Sequence, residues 1–502
     1  MHRTFVLLLA LATAMTVAVA APLGAALADG RAVQAPISLK VATFNIEYGG
    51  ALVDFDQVVA AVRASGADVI GVEEAEGRIP RLANALGWPY YSVRTQVISK
   101  YPLLDPPHAR GLYLFVEPTP GRVVAIENVH LPSSPYSPNR LLRGGTRAEI
   151  VDLERRFRLP AVRPFLRAAT RLQGLGIPVF LTGDFNSPSF RDYTAATVGS
   201  RPQVRFPIRW PVSVAVEAAG FRDSYRVIHP NPVLHPGLTW WAARPRVDGW
   251  NPGRNAPQDR IDYVYAAGAK TVASAIEGEP GAPSADIEVW PWPTDHRMVV
   301  STFSVRPVAP PTLVSVDRRL IAVGDELRVT FHAPGLGGER VAIVPAGGDP
   351  ATDSLDDRPT AGLVDGRRAF DSIGWTPGAY QVALVGGAGS VLARIPFWVK
   401  APGDGPTVGT GTADYAVGEG IDVSWANAPG ERWDWIGIYR RGADPTIAYY
   451  LLWAYTDASI AGSVMMDGAA YGDWPLPAGK YSVYLLRDDG YRLVARADFT
   501  IT

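Results

Sequence analysis

Between Leu39 and Ala267, short apolar runs alternate with longer stretches whose apolar positions recur at helical spacing. LKVATFNI (39–46), ADVIGVE (67–73), GLYLFVE (111–117), RVVAIENVHL (122–131), PVFLTGDF (178–185) and IDYVYAA (261–267) read as strands. DFDQVVAAVRAS (54–65) and RLPAVRPFLRAATRLQG (158–174) read as amphipathic helices. In the second, Pro160 suits a first turn, and Pro164 predicts a restart or a kink. Alternation of this kind predicts one layered α/β domain over residues 37–306.

After VRPVAPPTLVSV the texture changes. PVAPP has the composition of a linker, and beyond it strand and turn patterns replace helical ones. The segment from Ala322, AVGDELRVTFHAPGLGGERVAIVPAGGDPA, aligns with AVGEGIDVSWANAPGERWDWIGIYRRGADPT from Ala416. A second pair, from Thr376 and from Leu476, also aligns. This internal repeat predicts two related β-domains, 312–400 and 407–502, each an immunoglobulin-like sandwich and the two strung as beads in tandem. It also predicts that a chain ending near Val305 folds alone.

Composition agrees with many strands and turns: 50 Gly and 44 Pro in 502 residues, a length expected to hold several domains. The chain has no cysteine, which excludes disulfides, thiol catalysis and Cys-ligated zinc. A net charge of −1 supplies no global field for nucleic acid or an anionic membrane. The N-terminus has a short basic start at Arg3, an apolar stretch from Phe5 to Ala21 and the small-residue site Ala26-Leu27-Ala28. This pattern predicts a signal peptide over residues 1–28 and a secreted protein. No later segment is apolar enough to be read as a membrane span.

Polar residues collect where the strand-like runs end. They are Asn45 in TFNIE, Glu74 in VEEAE, His130 in NVHL, Asp184 and Asn186 in LTGDFNSPS, Asp262 in DRIDYVY, and Asp295-His296 in PTDH. Any one of them alone reads as a turn or a strand cap. Together they read as a site, because ligands gather where strand ends converge. Asp184 and Asn186, two apart, are expected on one face of a strand.

In this order the motifs resemble the endonuclease/exonuclease/phosphatase superfamily, a group of metal-dependent phosphoesterases with a DNase I-like four-layered α/β sandwich. The resemblance spans Leu39 to Val305 and implies roles for the residues that match. Asn45, Glu74 and Asp295 are expected to serve the metal, Mg²⁺ with Mn²⁺ as an alternative. Asp184 is expected to activate water, Asn186 to donate to a phosphate oxygen, and His130 and His296 to stabilise developing charge. Asp262 is expected to orient His296. One departure stands out: the family commonly has Gln before the metal-binding Glu, where this chain has Glu73. That second carboxylate is either an extra metal ligand or a solvated neighbour.

The motifs leave the substrate open among nucleic acid, lipid and inositol phosphate. Phosphodiester hydrolysis is the first reading. A phosphomonoesterase acting on inositol phosphates, a sphingomyelinase and a catalytically inactive binding protein are the alternatives. The Trp-rich run from Trp210 to Trp292 reads either as a substrate loop, with Arg244, Arg246 and Arg254 on a second phosphate, or as core. RLLRGGTRAEIVDLERRFR mixes both signs of charge and reads as a solvated face. The last domain is similar to SKICH-type sandwiches through DWIGIY, which implies a cell-surface or membrane ligand near Trp433–Tyr439. Strand alternation predicts instead that Trp435 and Tyr439 fill that sandwich's core.

Overall fold

The structure, a computed structural model, describes residues 35–502 apart from Gly249, Trp250, Pro252 and Arg254. The signal-peptide reading and the expectations for Trp250 and Arg254 lie outside the described residues.

Two sheets face each other in the first part of the chain. One has seven strands, with Ile37–Asn45 flanked by Val69–Glu73 and Met298–Val305. The other has six, with Val179–Asp184 flanked by Arg122–His130 and Asp262–Ala267. Alternation along each strand sorts its residues into layers. Leu39 and Val41 meet Val124, Ile126 and Phe180 between the sheets. Ala42 and Phe44 point outward, to the helices Phe55–Ser65 and Ile79–Leu86. On the opposite flank Val179 and Leu181 pack against the helix Arg158–Gly174. Pro164 lies inside that helix, which continues through it. The result is a helix–sheet–sheet–helix sandwich.

The row of side chains between the sheets changes character toward one end. Leu39 and Val41 give way to Thr43 and Asn45, Val124 and Ile126 to Asn128 and His130, and Phe180 to Thr182 and Asp184. Apolar packing positions the sheets, and the same pleat then delivers polar groups to a common rim. Gly71 permits the close approach. A Cβ there would stand 2.1 Å from Asn128 Oδ1 and 2.4 Å from Thr182 Oγ1.

Two β-sandwiches follow. The first pairs three strands between Leu313 and Asp371 with five between Leu320 and Lys400. The second pairs three strands between Thr407 and Met466 with six between Asp414 and Ile501. Counterpart strands occupy the same order in both, as the repeat predicts. The second sandwich is no free bead. Its Trp433 is buried in the core formed by the Arg158–Gly174 helix and stacks on Phe165 at 6.1 Å. Arg94 donates to the carbonyls of Gly430 (2.9 Å) and Ala458 (2.7 Å). Gly77 N–H donates to Asp488 at 2.8 Å, and Gln96 donates to the same carboxylate. Among the described residues, no helix is long and apolar enough to cross a membrane.

Candidate active site

Strand register brings the site together. His130 at the end of one strand and Asp262 at the start of another both lie opposite Asp184. Asp184 is buried, and its Oδ2 accepts from Asn45 Nδ2 and Asn186 Nδ2, both at 3.2 Å. His130 Nε2 and His296 Nε2 stand 3.5 and 3.7 Å from the same oxygen. Burial opposes ionisation of Asp184, but the neighbouring His296 and His130 outweigh it and hold its pKa below the ordinary value. His296 Nδ1 meets Asp262 at 3.0 Å, which fixes the ring and leaves Nε2 toward Asp184. Burial works against the imidazolium at His296, yet Asp262 and Asp184 raise its pKa well above the usual range.

Asn186 departs from the expectation. The strand ends at Asp184, and Asn186 lies beyond it with φ +47°, so pleating does not put the pair on one face. A turn does, in which Asn186 N–H donates to Asp184 Oδ1 at 2.8 Å. Both amide protons of Asn186 are engaged, by Asp184 and by Leu131 O at 3.1 Å. In this arrangement it positions Asp184 and does not present a donor to phosphate.

Strand parity separates the two glutamates. Glu73 ends its strand buried between the sheets and accepts from Thr43 Oγ1 at 3.0 Å; it does not reach the cavity. Glu74, one residue on and with φ +53°, lines the cavity and accepts from Asn45 Nδ2 at 3.0 Å and Tyr48 N–H at 3.3 Å. Asp295 also lines it, held by Trp240 Nε1 at 2.9 Å. Asp295 N–H donates to Glu47 at 3.1 Å. Glu47 was not among the expected site residues; its only mark in the sequence is its place two after Asn45. It also clamps Arg244 through two contacts of 2.6 Å, so Arg244 is engaged in the fold and does not stand ready for a second phosphate. Of the tryptophans, Trp210 and Trp292 are core, Trp290 is exposed, and Trp240 reaches the cavity.

These donors fit a hard divalent cation. Glu74, Asp295 and Glu47 offer carboxylate oxygens to the cavity they line. Burial, then the charge of Asp295, pushes Glu47 up to about 7, and burial also raises Glu74, as crowded carboxylates do without enough compensating charge. Among the described residues, Asp184, Asp262 and His296 are the group whose ligand atoms all lie within 4.8 Å of one another. The Asp262–His296 contact engages Nδ1 of that His, which favours the role of an oriented imidazole.

The opposite wall comes from the second β-sandwich, which sequence reasoning did not place here. Asp489, in the hairpin between Gly479–Arg487 and Arg492–Ile501, sets Oδ2 2.5 Å from His130 Nδ1 as an ion-pair contact, not a well-aligned hydrogen bond. Tyr450, Trp453, Tyr455 and Tyr491 line the same cavity of about 440 Å³. Trp435 and Tyr439 of DWIGIY are buried, but not in their own sandwich's core. Ile436 and Ile438 face that core, while Trp435 and Tyr439 join an aromatic cluster on the outer face, toward the cavity.

Fold and site together define a DNase I-like phosphoester hydrolase architecture. The chain belongs to the Endonuclease/Exonuclease/phosphatase family, whose profile matches residues 42–296, slightly more than half of the chain. It is 26% identical over 256 residues to an uncharacterised protein of Caenorhabditis elegans, covering 46% of this chain and 79% of that one. Among solved structures, an endonuclease/exonuclease/phosphatase from Beutenbergia cavernae aligns with 72% of this chain and 99% of its own, at 18% identity and a TM-score of 0.33. The fibronectin(III)-like modules of Clostridium thermocellum CbhA align with 38% of this chain and 93% of their own, at 14% identity and a TM-score of 0.15.

Proposed function

We propose that the chain is an exported, divalent-metal-dependent phosphodiesterase, using Mg²⁺ with Mn²⁺ as an alternative. The observation that carries this reading is Asp184: a buried carboxylate kept ionised at the cavity floor, with two imidazoles on one of its oxygens. It accepts the proton of an attacking water. His296, oriented by Asp262, and His130 are cationic donors for phosphoryl and leaving-group oxygens. Glu74 and Asp295, with Glu47 beside them, would hold the cation, which when bound supplies positive charge to the phosphate. Asn45 links the two halves by donating to both Glu74 and Asp184.

Release of p-nitrophenol from bis-p-nitrophenyl phosphate with Mg²⁺ tests the reading, run beside Asp184→Ala and beside EDTA-treated protein. Wild-type turnover that falls by at least two orders of magnitude in both controls is expected. Turnover that survives in Asp184→Ala would sink the assignment. Hydrolysis of p-nitrophenyl phosphate alone would make the enzyme a phosphomonoesterase.

A further inference from the structure

We propose that the last β-sandwich is a working part of the active site: its aromatic wall is the subsite for a ring-bearing organic group on a singly phosphorylated ester. The proposal rests on the hydrolase reading and adds the substrate class to it.

The internal repeat supports this. Matched by cross-strand register, Trp435 corresponds to Arg340, Tyr439 to Val344 and Tyr484 to Ala383. Inward-facing positions of the two copies remain apolar, with Val341 and Ile343 matching Ile436 and Ile438. At the outward-facing positions of these two strands, Trp435, Tyr439 and Tyr484 are aromatic only in the copy that abuts the catalytic cavity. The first copy has Ala342, Ala383 and Val385 on the corresponding part of its outer face.

Tyr491, Trp435, Tyr450, Trp453 and Tyr455 form a chain of edge-to-face contacts with centroids 5.0–6.1 Å apart. Such contacts hold the rings in place before anything binds. They line the same cavity as Glu74, His130 and Asp184, which brings the rings within the space open to the organic group of a phosphate held beside those residues. Among the described residues that line the cavity none is Lys or Arg, whereas Glu47, Glu74, Glu76, Asp295 and Asp489 are acidic. Polyanions rely on Lys and Arg to neutralise their phosphates. A cavity of about 440 Å³ lies in the small-molecule range.

Calorimetry on the full chain with Mg²⁺ reads the wall without turnover, using phenylphosphonate and methylphosphonate as probes. Phenylphosphonate is expected to bind at least tenfold more tightly. Tyr450→Ala should cut that preference at least threefold. Tyr449→Ala should lower it too, and since Tyr449 lines the cavity but is 84% exposed, its loss leaves the fold intact. A 20-base-pair duplex should not displace phenylphosphonate. Equal affinity for the two phosphonates, a preference unchanged in both variants, or displacement by the duplex would each overturn the proposal. A protein that keeps the preference but hydrolyses no phosphoester fails the hydrolase reading and not the wall. An active protein with no preference fails the wall alone.

Discussion

Asp489 is a half-buried carboxylate and Glu277 a buried one, with opposite circumstances. Asp489 has a partner: it holds the far nitrogen of the His130 ring while the near nitrogen faces Asp184. Its removal should loosen the ring without removing a substrate contact. Asp489→Asn is therefore expected to lower kcat roughly tenfold or more with KM little changed, a split that steady-state kinetics on the small diester resolves. A change confined to KM would assign Asp489 to binding. Glu277, on the strand Ala269–Gly278, has no hydrogen-bond partner among the described residues for either carboxylate oxygen. Burial alone pushes its pKa to about 8. Folded chains keep the proton up to that pH, whereas unfolded chains release it near 4.5. Stability should fall as pH rises between those values, by up to about 1.4 kcal/mol per unit from this group. Glu277→Gln should flatten the slope and raise Tm at pH 8; an unchanged pH profile would show that water or a cation reaches the group.

At the scale of elements, the site depends on how closely the two sheets approach. Gly71→Ala would set a methyl group against two buried polar side chains, Asn128 and Thr182. We expect a loss of at least about 1–3 kcal/mol, read as a lower Tm, together with reduced turnover because the same row of side chains ends at the catalytic rim. The alternation that makes this row was legible in the sequence, since LKVATFNI, RVVAIENVHL and PVFLTGDF each carry a polar group where the strand stops. Glu74, His130, Asp184, Asn186, Asp295 and His296 line one cavity, Asn45 donates to Glu74 and Asp184 from beneath it, and Asp262 holds His296. What the pattern did not carry was local backbone direction. Asn186 and Glu74 sit in left-handed conformations just past their strands, and a two-residue period says nothing about a chain that has already turned.

Across the whole molecule, the linker PVAPP suggested separable domains, yet Trp433 completes the core beside Phe165. A chain ending at Val305 is expected to expose that surface, lose thermal stability and lose most activity. Trp433→Ala in the full chain should cost about 3–5 kcal/mol in denaturant unfolding. A truncated chain with wild-type turnover and Tm would show that the contact is dispensable.

Sequence alone determined the layered α/β region, the tandem repeat and most of the side chains that meet at the candidate site, because each is written in local periodicity or in motifs a few residues long. Only the tertiary structure decided that Glu73 is buried apart from the cavity, that Arg244 is clamped by Glu47, and that the second sandwich walls the site. The reason is physical. Whether an outward-facing Trp or Tyr meets water, a partner or the active site depends on which surfaces dock, and docking is settled by contacts between segments hundreds of residues apart, such as Gln96 with Asp488 and His130 with Asp489.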